Sequence, residues 1–298
     1  MAEKFTLTPQ QVANLDPFGA RRARASEGLK DLLDKTPEVV PERNNALTAD
    51  MEREEETKWS EILGATVEIK PPPGISTETI SNLEEIGMEL RFIPEMDLDI
   101  GELKRRGVSQ YLKDLNSKYP NWKPYEALRD NERSDHTKIR NLREWYWDLV
   151  KDSKVDAPEL PGRWVAVETL EKPEWGGKYP DSPLTRELGF SDRFNVSWND
   201  AKAAIDRIKG ETLDRLGIAD KAEMRLLEPL EWNLLGNREG WGKTNSYEWL
   251  NTEYRESGDS DRLVVGDSDR GGAARVDWGP PDVRRGGIGF RVAVVFEP

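Results

Sequence analysis

The chain has 298 residues, a formal net charge of −13 and no cysteine. Without cysteine it has no disulfides, thiolate metal sites or cysteine nucleophiles. His136 is the only histidine, which argues against serine-hydrolase triads and multi-histidine metal sites. The acidic balance argues against nucleic acid as a partner, because binding to phosphate is driven mainly by lysine and arginine.

No stretch approaches the roughly 18 consecutive apolar residues of a membrane helix, so no membrane insertion is expected. The first residues, MAEKFTLTPQQVANL, lack a basic start followed by an apolar run. We therefore expect no secretory signal, and a location in the cytoplasm or in a virion.

The first half of the sequence predicts an α-rich N-terminal domain over residues 1–155, with a role in anchoring or assembly. Helical patterns cover residues 10–35, 76–90, 97–119 and 137–150. The charge run EREEE is typical of a solvated helix face. Short strands are predicted in GATVEIK, before a proline run, and in ELRFIP.

A linker rich in proline and glycine, VDAPELPG, separates this part from residues 156–298. The strand-like run RWVAVET follows it. Ser197, with Asp200 three residues on, predicts a capped helix that ends near Gly217. A second helix is expected through KAEMRLLEPLEWNLL, interrupted at Pro229, and several strands follow, which is an α+β order.

The tail from Trp241 to Phe296 alternates short strands with loops of Gly, Asp, Ser and Arg. Exposed loops on a strand framework are typical of a displayed binding surface. In AARVDW, the alternation of a strand places Ala274, Val276 and Trp278 on one side and Arg275 and Asp277 on the other. The last run, IGFRVAVVF, is apolar enough for a single buried strand.

Several of these segments carry a family resemblance. EWNLLGN, NSYEW, GDSDRGGA and GFR, in this order, resemble the C-terminal part of C-type lectin folds of the formylglycine-generating-enzyme-like subclass. Within that group the chain is most similar to the variable proteins of diversity-generating retroelements, including those of archaeal viruses. The resemblance covers about residues 160–298, with RWVAVET at the start of the fold and GFRVAVVF at its end.

The resemblance implies a non-enzymatic protein whose surface is diversified by an error-prone reverse transcriptase over about residues 238–288. Its partner would be a protein or cell-surface ligand, and no cofactor is expected. The implied framework comprises Tyr247, Trp249, Gly271, Gly272, Gly289, Phe290 and Arg291. The implied ligand-binding set comprises Arg238, Glu239, Trp241, Lys243, Asn251, Tyr254, Arg255, Asp261, Val265, Asp267, Asp269, Arg270, Arg275, Asp277, Trp278, Asp282 and Arg284.

Three alternatives bear on this interpretation. An oxidase of the formylglycine-generating type depends on a cysteine pair, which this chain lacks. The repeated GDSDR motif, at Gly258 and Gly266, pairs acids as calcium loops do, but neither copy completes an EF-hand and both suit tight turns. A structural or virion assembly protein with a lectin-like domain is compatible with display, because a binding domain needs an anchor.

Overall fold

A computed structural model describes residues 41–72, 74–135, 138–256 and 259–297. Contacts divide the chain into two units, residues 1–47 and 48–298. The sequence placed a boundary at 155/156 instead, and residues 48–155 belong to the same unit as 156–298. The helix expected over residues 10–35 and His136 lie outside the described residues.

The architecture is α+β, as the sequence predicts. The helices are α1 (Pro41–Leu63), α2 (Thr77–Glu85), α3 (Ile100–Arg106), α4 (Val108–Lys118), α5 (Asp130–Arg133), α6 (Glu144–Lys151), α7 (Pro183–Glu187), α8 (Trp198–Arg215) and α9 (Pro229–Glu239). The strands are β1 (Glu89–Glu95), β2 (Lys123–Pro124), β3 (Arg140–Asn141), β4 (Pro161–Val167), β5 (Ala222–Leu226), β6 (Tyr247–Glu256), β7 (Asp259–Gly266), β8 (Val276–Gly279), β9 (Ile288–Phe290) and β10 (Val292–Phe296).

The unit of residues 48–298 contains two four-stranded sheets. The first has the order β1-β4-β10-β5 and is antiparallel throughout. The second has the order β8-β7-β6-β9, in which β6 and β9 run parallel and the other pairs are antiparallel. One continuous apolar core joins the sheets to the helices and includes Trp59 and Trp147 as well as Trp164 and Trp249.

Helix α8 forms where its cap signal predicts. The Ser197 hydroxyl accepts a hydrogen bond from the Asp200 N–H at 3.1 Å, which satisfies one of the free donors at the helix start. The apolar stripe that includes Ala201, Ile205 and Ile208 is buried. The same kind of cap, from Ser76, opens α2.

Several local predictions are wrong. Residues 65–70 form no strand, and the helix expected from Asp97 breaks into α3 and α4 at Gly107, whose φ is 81°. The helix expected from residue 137 begins only at Glu144. Within EREEE, Glu55 is buried, while most of its neighbours are exposed.

The helix expected before Pro229 is instead strand β5, and Pro229 opens α9. Proline suits a first helical position because the N–H it lacks would have no partner there. The final apolar run is two strands, since β9 lies in the second sheet and β10 in the first. Arg291 stands between them. The first GDSDR motif lies mainly in β7 and the second in a turn.

Candidate functional site

A cleft of about 460 Å³ lies over the second sheet. Its size falls within the range of ligand-binding sites. Among the described residues, the large apolar side chains classed as exposed are Trp175 (53%) and Trp278 (42%), and both border this cleft. The full lining is Trp175, Asn245, Tyr247, Val264, Asp267, Asp269, Arg270, Asp277, Trp278, Arg285 and Ile288.

Trp278, on the edge strand β8, is held by two other aromatic rings. Its indole stacks on Trp145 with ring centroids 5.3 Å apart and planes 21° apart. Tyr254 packs against the same indole at 5.3 Å. Aromatic pairs at such distances add stability beyond the area that they bury. Trp278 is therefore supported from behind while much of its surface remains exposed.

Trp175 lies against the backbone of Gly287. A Cβ atom built on Gly287 would come within 1.9 Å of the indole ring, so any side chain there would displace the tryptophan. Glycine thus allows the ring to approach the main chain closely. Like Trp278, Trp175 has support on one side and solvent on another.

The segment that carries Trp175 is fastened to residues 244–246 by a series of hydrogen bonds. The buried Lys172 ammonium donates to the Thr244 carbonyl at 3.3 Å and to the Ser246 carbonyl at 2.5 Å. The Ser246 hydroxyl donates to the Pro173 carbonyl at 2.5 Å. The Trp175 N–H donates to the Asn245 side-chain oxygen at 2.7 Å. These contacts hold one wall of the cleft in place.

Burial has the largest effect on the pKa of Lys172. Loss of hydration lowers the pKa of Lys172 to about 8, against the opposing effect of the Glu248 carboxylate. Arg291 lowers it further, and Glu174 and Asp267 raise it.

Asp267 contributes a carboxylate to the cleft from a turn with positive φ. Its φ is 73°, an uncommon value for a residue other than glycine. The carboxylate accepts from the Tyr247 hydroxyl at 2.7 Å and from the Asp269 N–H at 3.2 Å. Burial and the nearby Asp267 raise the pKa of Tyr247 to about 12, so the phenol stays protonated and donates at neutral pH.

The remaining charges in the cleft have mixed signs. Arg270 is exposed and lies 3.7 Å from the Asp267 carboxylate. Asp277 accepts from Arg275 at 2.6 Å. Asp269 and Arg285 are exposed. A cleft that combines indoles, carboxylates and guanidinium groups has the composition of an interaction hot spot.

A buried polar network lies behind the cleft. Glu248 accepts from the Trp232 indole at 2.6 Å, from the Tyr179 hydroxyl at 2.7 Å and from Arg291 at 2.9 Å. Burial opposes ionisation of Glu248, but Arg291 and Lys172 outweigh it and hold its pKa below the usual value. The network links β6 to the junction of β9 and β10, and thereby fixes the frame of the second sheet.

The structure brings some of the predicted ligand-binding residues together. Five of them line the cleft: Asp267, Asp269, Arg270, Asp277 and Trp278. Arg275 lies beside them through its bond to Asp277. Lys243, Arg255, Asp282 and Arg284 are exposed but do not line the cleft, and Asp261 is half-buried. Arg255 pairs with Asp156, and Arg284 with Asp200.

Other predicted residues are buried or half-buried, and burial contradicts a display role for Arg238, Trp241, Val265 and Tyr254. The Arg238 side chain is buried in a salt bridge with Glu55, and the half-buried Glu239 pairs with Arg91 at 2.9 Å. Trp241 lies in the core beneath the Arg291 guanidinium. Val265 and Tyr254 are also buried. The sequence alone suggested that these residues are exposed. In the structure, their apolar side chains or their buried partners place them inside the protein.

The framework residues Trp249, Phe290 and Arg291 are buried, and Tyr247 is half-buried at the cleft. The sequence did not indicate five residues of the cleft lining: Trp175, Asn245, Val264, Arg285 and Ile288. For Trp175, the run EWGG gave a usable signal, since a large aromatic residue within a loop of glycine and proline has no strand or helix to bury it.

A second cleft, of about 390 Å³, is bordered by predicted Asn251 and by Arg225, Glu228 and Glu231. Four of its polar side chains bind one another: Arg225 forms two 2.8 Å bonds to Glu231, and Asn251 donates to Glu228 at 2.8 Å. These groups are satisfied internally, so the cleft with the exposed indoles is the stronger candidate.

Within the described ranges, no group of three or more histidine or acidic side chains is arranged to hold a metal ion. None of the helices that the structure describes is both long and apolar enough to cross a membrane.

No family model matches the chain, and no curated protein matches it. Among solved structures, the crystal structure of CarF is similar over 47% of this chain and 89% of its own, with a TM-score of 0.31 and 14% identity. The structure of PvdO from Pseudomonas aeruginosa is similar over 47% of this chain and 85% of its own, with a TM-score of 0.29 and 12% identity. Likeness at this level assigns neither a family nor an activity to this chain.

Proposed function

We propose that the chain is a non-enzymatic binding protein that engages a protein ligand through the cleft over the second sheet. The observation that carries the proposal is the position of Trp175 and Trp278. Large exposed indoles have an energetic cost in water, and tryptophan is among the residues most enriched at binding hot spots. Both border one cleft, although they are far apart in the sequence.

We further propose that the fold is of the C-type lectin type and that the cleft is diversified by a retroelement. Two features support this proposal. The segments that the resemblance assigns to the start and the end of the fold, β4 and β10, are hydrogen-bonded neighbours. The exposed residues Asp269, Arg270 and Trp278 project from the implied variable region, while the implied framework behind them is largely buried.

The DNA beside the gene tests the diversification. We expect a near-copy of the 3′ segment of the gene that differs from it almost only at adenines of the copy. The differences should fall in codons for exposed cleft residues such as Asp269 and Trp278, and should spare those for Glu248 and Arg291. Lack of such a copy, or differences spread over the buried codons, would count against diversification and leave the cleft to be tested by itself.

A further inference from the structure

We infer that the cleft receives cationic side chains, lysine or arginine, from a basic segment of a protein partner. This inference rests on the proposed function and names the chemistry that the same site recognises. It follows from the aromatic surfaces, from the placement of the carboxylates and from the charge of the whole chain.

The exposed aromatic surfaces of the cleft favour a cationic ligand. Cations are attracted to the faces of aromatic rings, most strongly to tryptophan. Trp278 rests on Trp145 and Tyr254, and Trp175 rests on Gly287. Because both indoles are held before any ligand arrives, little side-chain entropy is lost when a cation contacts them.

The carboxylates supply the charge. Asp267, Asp269 and Asp277 all line the cleft. The Asp267 side chain is only 8% exposed and is oriented by Tyr247, whereas its arginine neighbour Arg270 is 66% exposed. No basic group of the described residues forms an ion pair with Asp269 within 4 Å. Asp267 is thus held in place by Tyr247, and the exposed Asp269 carboxylate is open to a cationic ligand.

The basic residues at the cleft oppose this charge only in part. Arg275 is bonded to Asp277, and Arg285 is exposed at the rim. The chain as a whole carries a net charge of −13, which steers positively charged partners towards it. A basic peptide segment fits these features better than an acidic one.

The test uses the full chain and two probes that differ in charge and little in shape, N-acetyl-L-arginine amide and its neutral analogue N-acetyl-L-citrulline amide. Shifts of the Trp175 and Trp278 indole N–H signals in ¹⁵N NMR report binding at millimolar concentrations. We expect the arginine probe to move both signals and to bind at least about threefold more tightly than the citrulline probe, as expected for a weak exposed charge pair.

Two variants and a control test the direction of the charge effect on binding of the arginine probe. Asp269→Asn should weaken binding of the arginine probe about threefold, and Arg285→Ala should strengthen it by a similar factor. Asp220→Asn removes an exposed acid that does not line the cleft and should change little, which controls for the net charge.

Equal binding of both probes, or reversed signs in the variants, would overturn the cationic inference and leave the cleft as a binding site. Larger shifts of the same indoles with N-acetylglucosamine would do so in favour of a sugar ligand. If no probe moves either indole signal, both the inference and the proposed cleft fail.

Discussion

Glu248 and Arg291 form an ion pair whose side chains are at most 1% exposed. Buried charges are tolerated only when their remaining hydrogen-bonding capacity is satisfied. Tyr179 and Trp232 supply that for Glu248, and the Glu168 carbonyl accepts from Arg291 at 2.5 Å. The sequence indicated Arg291 as framework through the GFR pattern, but it gave no sign of its partner, because Glu248 lies 43 positions away and is one of 57 acidic residues.

We expect Glu248→Gln to lower the free energy of unfolding by about 3–5 kcal/mol, because it leaves the Arg291 charge buried without compensation. Urea denaturation followed by tryptophan fluorescence measures the change. Glu253→Gln is the matched control on the same strand; its side chain is 35% exposed, and we expect a change within about 0.5 kcal/mol. Similar losses for both variants would show that the buried pair has no special structural role.

For the helices and strands, local sequence signals gave correct predictions where residues close together in the chain determine the structure. The Ser197 cap predicted the start of α8, because a helix start depends on a hydrogen bond formed within four residues, and apolar spacing predicted α2. The signals failed where tertiary pairing decides. Residues 222–226 have a helical composition yet form β5, because β10 provides a complete antiparallel partner. IGFRVAVVF has the pattern of one buried strand, and only the presence of two sheets splits it at Arg291.

The segment 172–175 allows a prediction on pH. Lys172 has a pKa of about 8 in the folded protein, below the value of about 10.4 for lysine in an unfolded chain. Between pH 8 and 10 the unfolded state therefore binds more protons, and stability rises with pH. We expect the free energy of unfolding to increase from pH 7 to 9.5 relative to that of Lys172→Met, by an amount on the order of 1–3 kcal/mol.

Lys178→Met is the control for this measurement, since Lys178 is exposed in the same loop and should leave the pH dependence of the wild type unchanged. The range ends below pH 10 because tyrosines of the unfolded chain ionise there, while burial raises the pKa of Tyr179 in the folded state. A wild-type slope equal to that of Lys172→Met would mean that the buried amine carries the same charge in both states.

For the whole molecule, the sequence predicted the α+β class and the strands of the tail, and it predicted part of the cleft. It could not place the border between units. The run VDAPELPG has the composition of a linker, yet its last two residues, Pro161 and Gly162, belong to β4, and Leu160 before them is buried. Composition indicates only local flexibility. The border between compact units depends instead on which distant strands pair, and β4 pairs with β1 from the first half of the chain.

Contacts across this predicted border join residues 48–155 to residues 156–298 in one compact unit. β1 pairs with β4 over most of its length. The Trp122 indole donates to Asn233 at 2.9 Å, and the Arg143 N–H donates to the Ala274 carbonyl at 3.2 Å. Trp145, which supports Trp278 in the cleft, also comes from the first half. Residues 156–298 alone would lose the wall behind their own binding surface.

We therefore expect a protein of residues 156–298 to lack a cooperative thermal transition and to aggregate. Without β1, the apolar strand β4 would become an unprotected sheet edge, which favours association between chains. A protein of residues 41–298 is the control and should unfold in one sharp transition, followed by near-ultraviolet circular dichroism. If the shorter protein instead gave the same near-ultraviolet spectrum and a midpoint within a few degrees of the control, residues 156–298 would be an independent domain. The supporting role of Trp145 would then be dispensable.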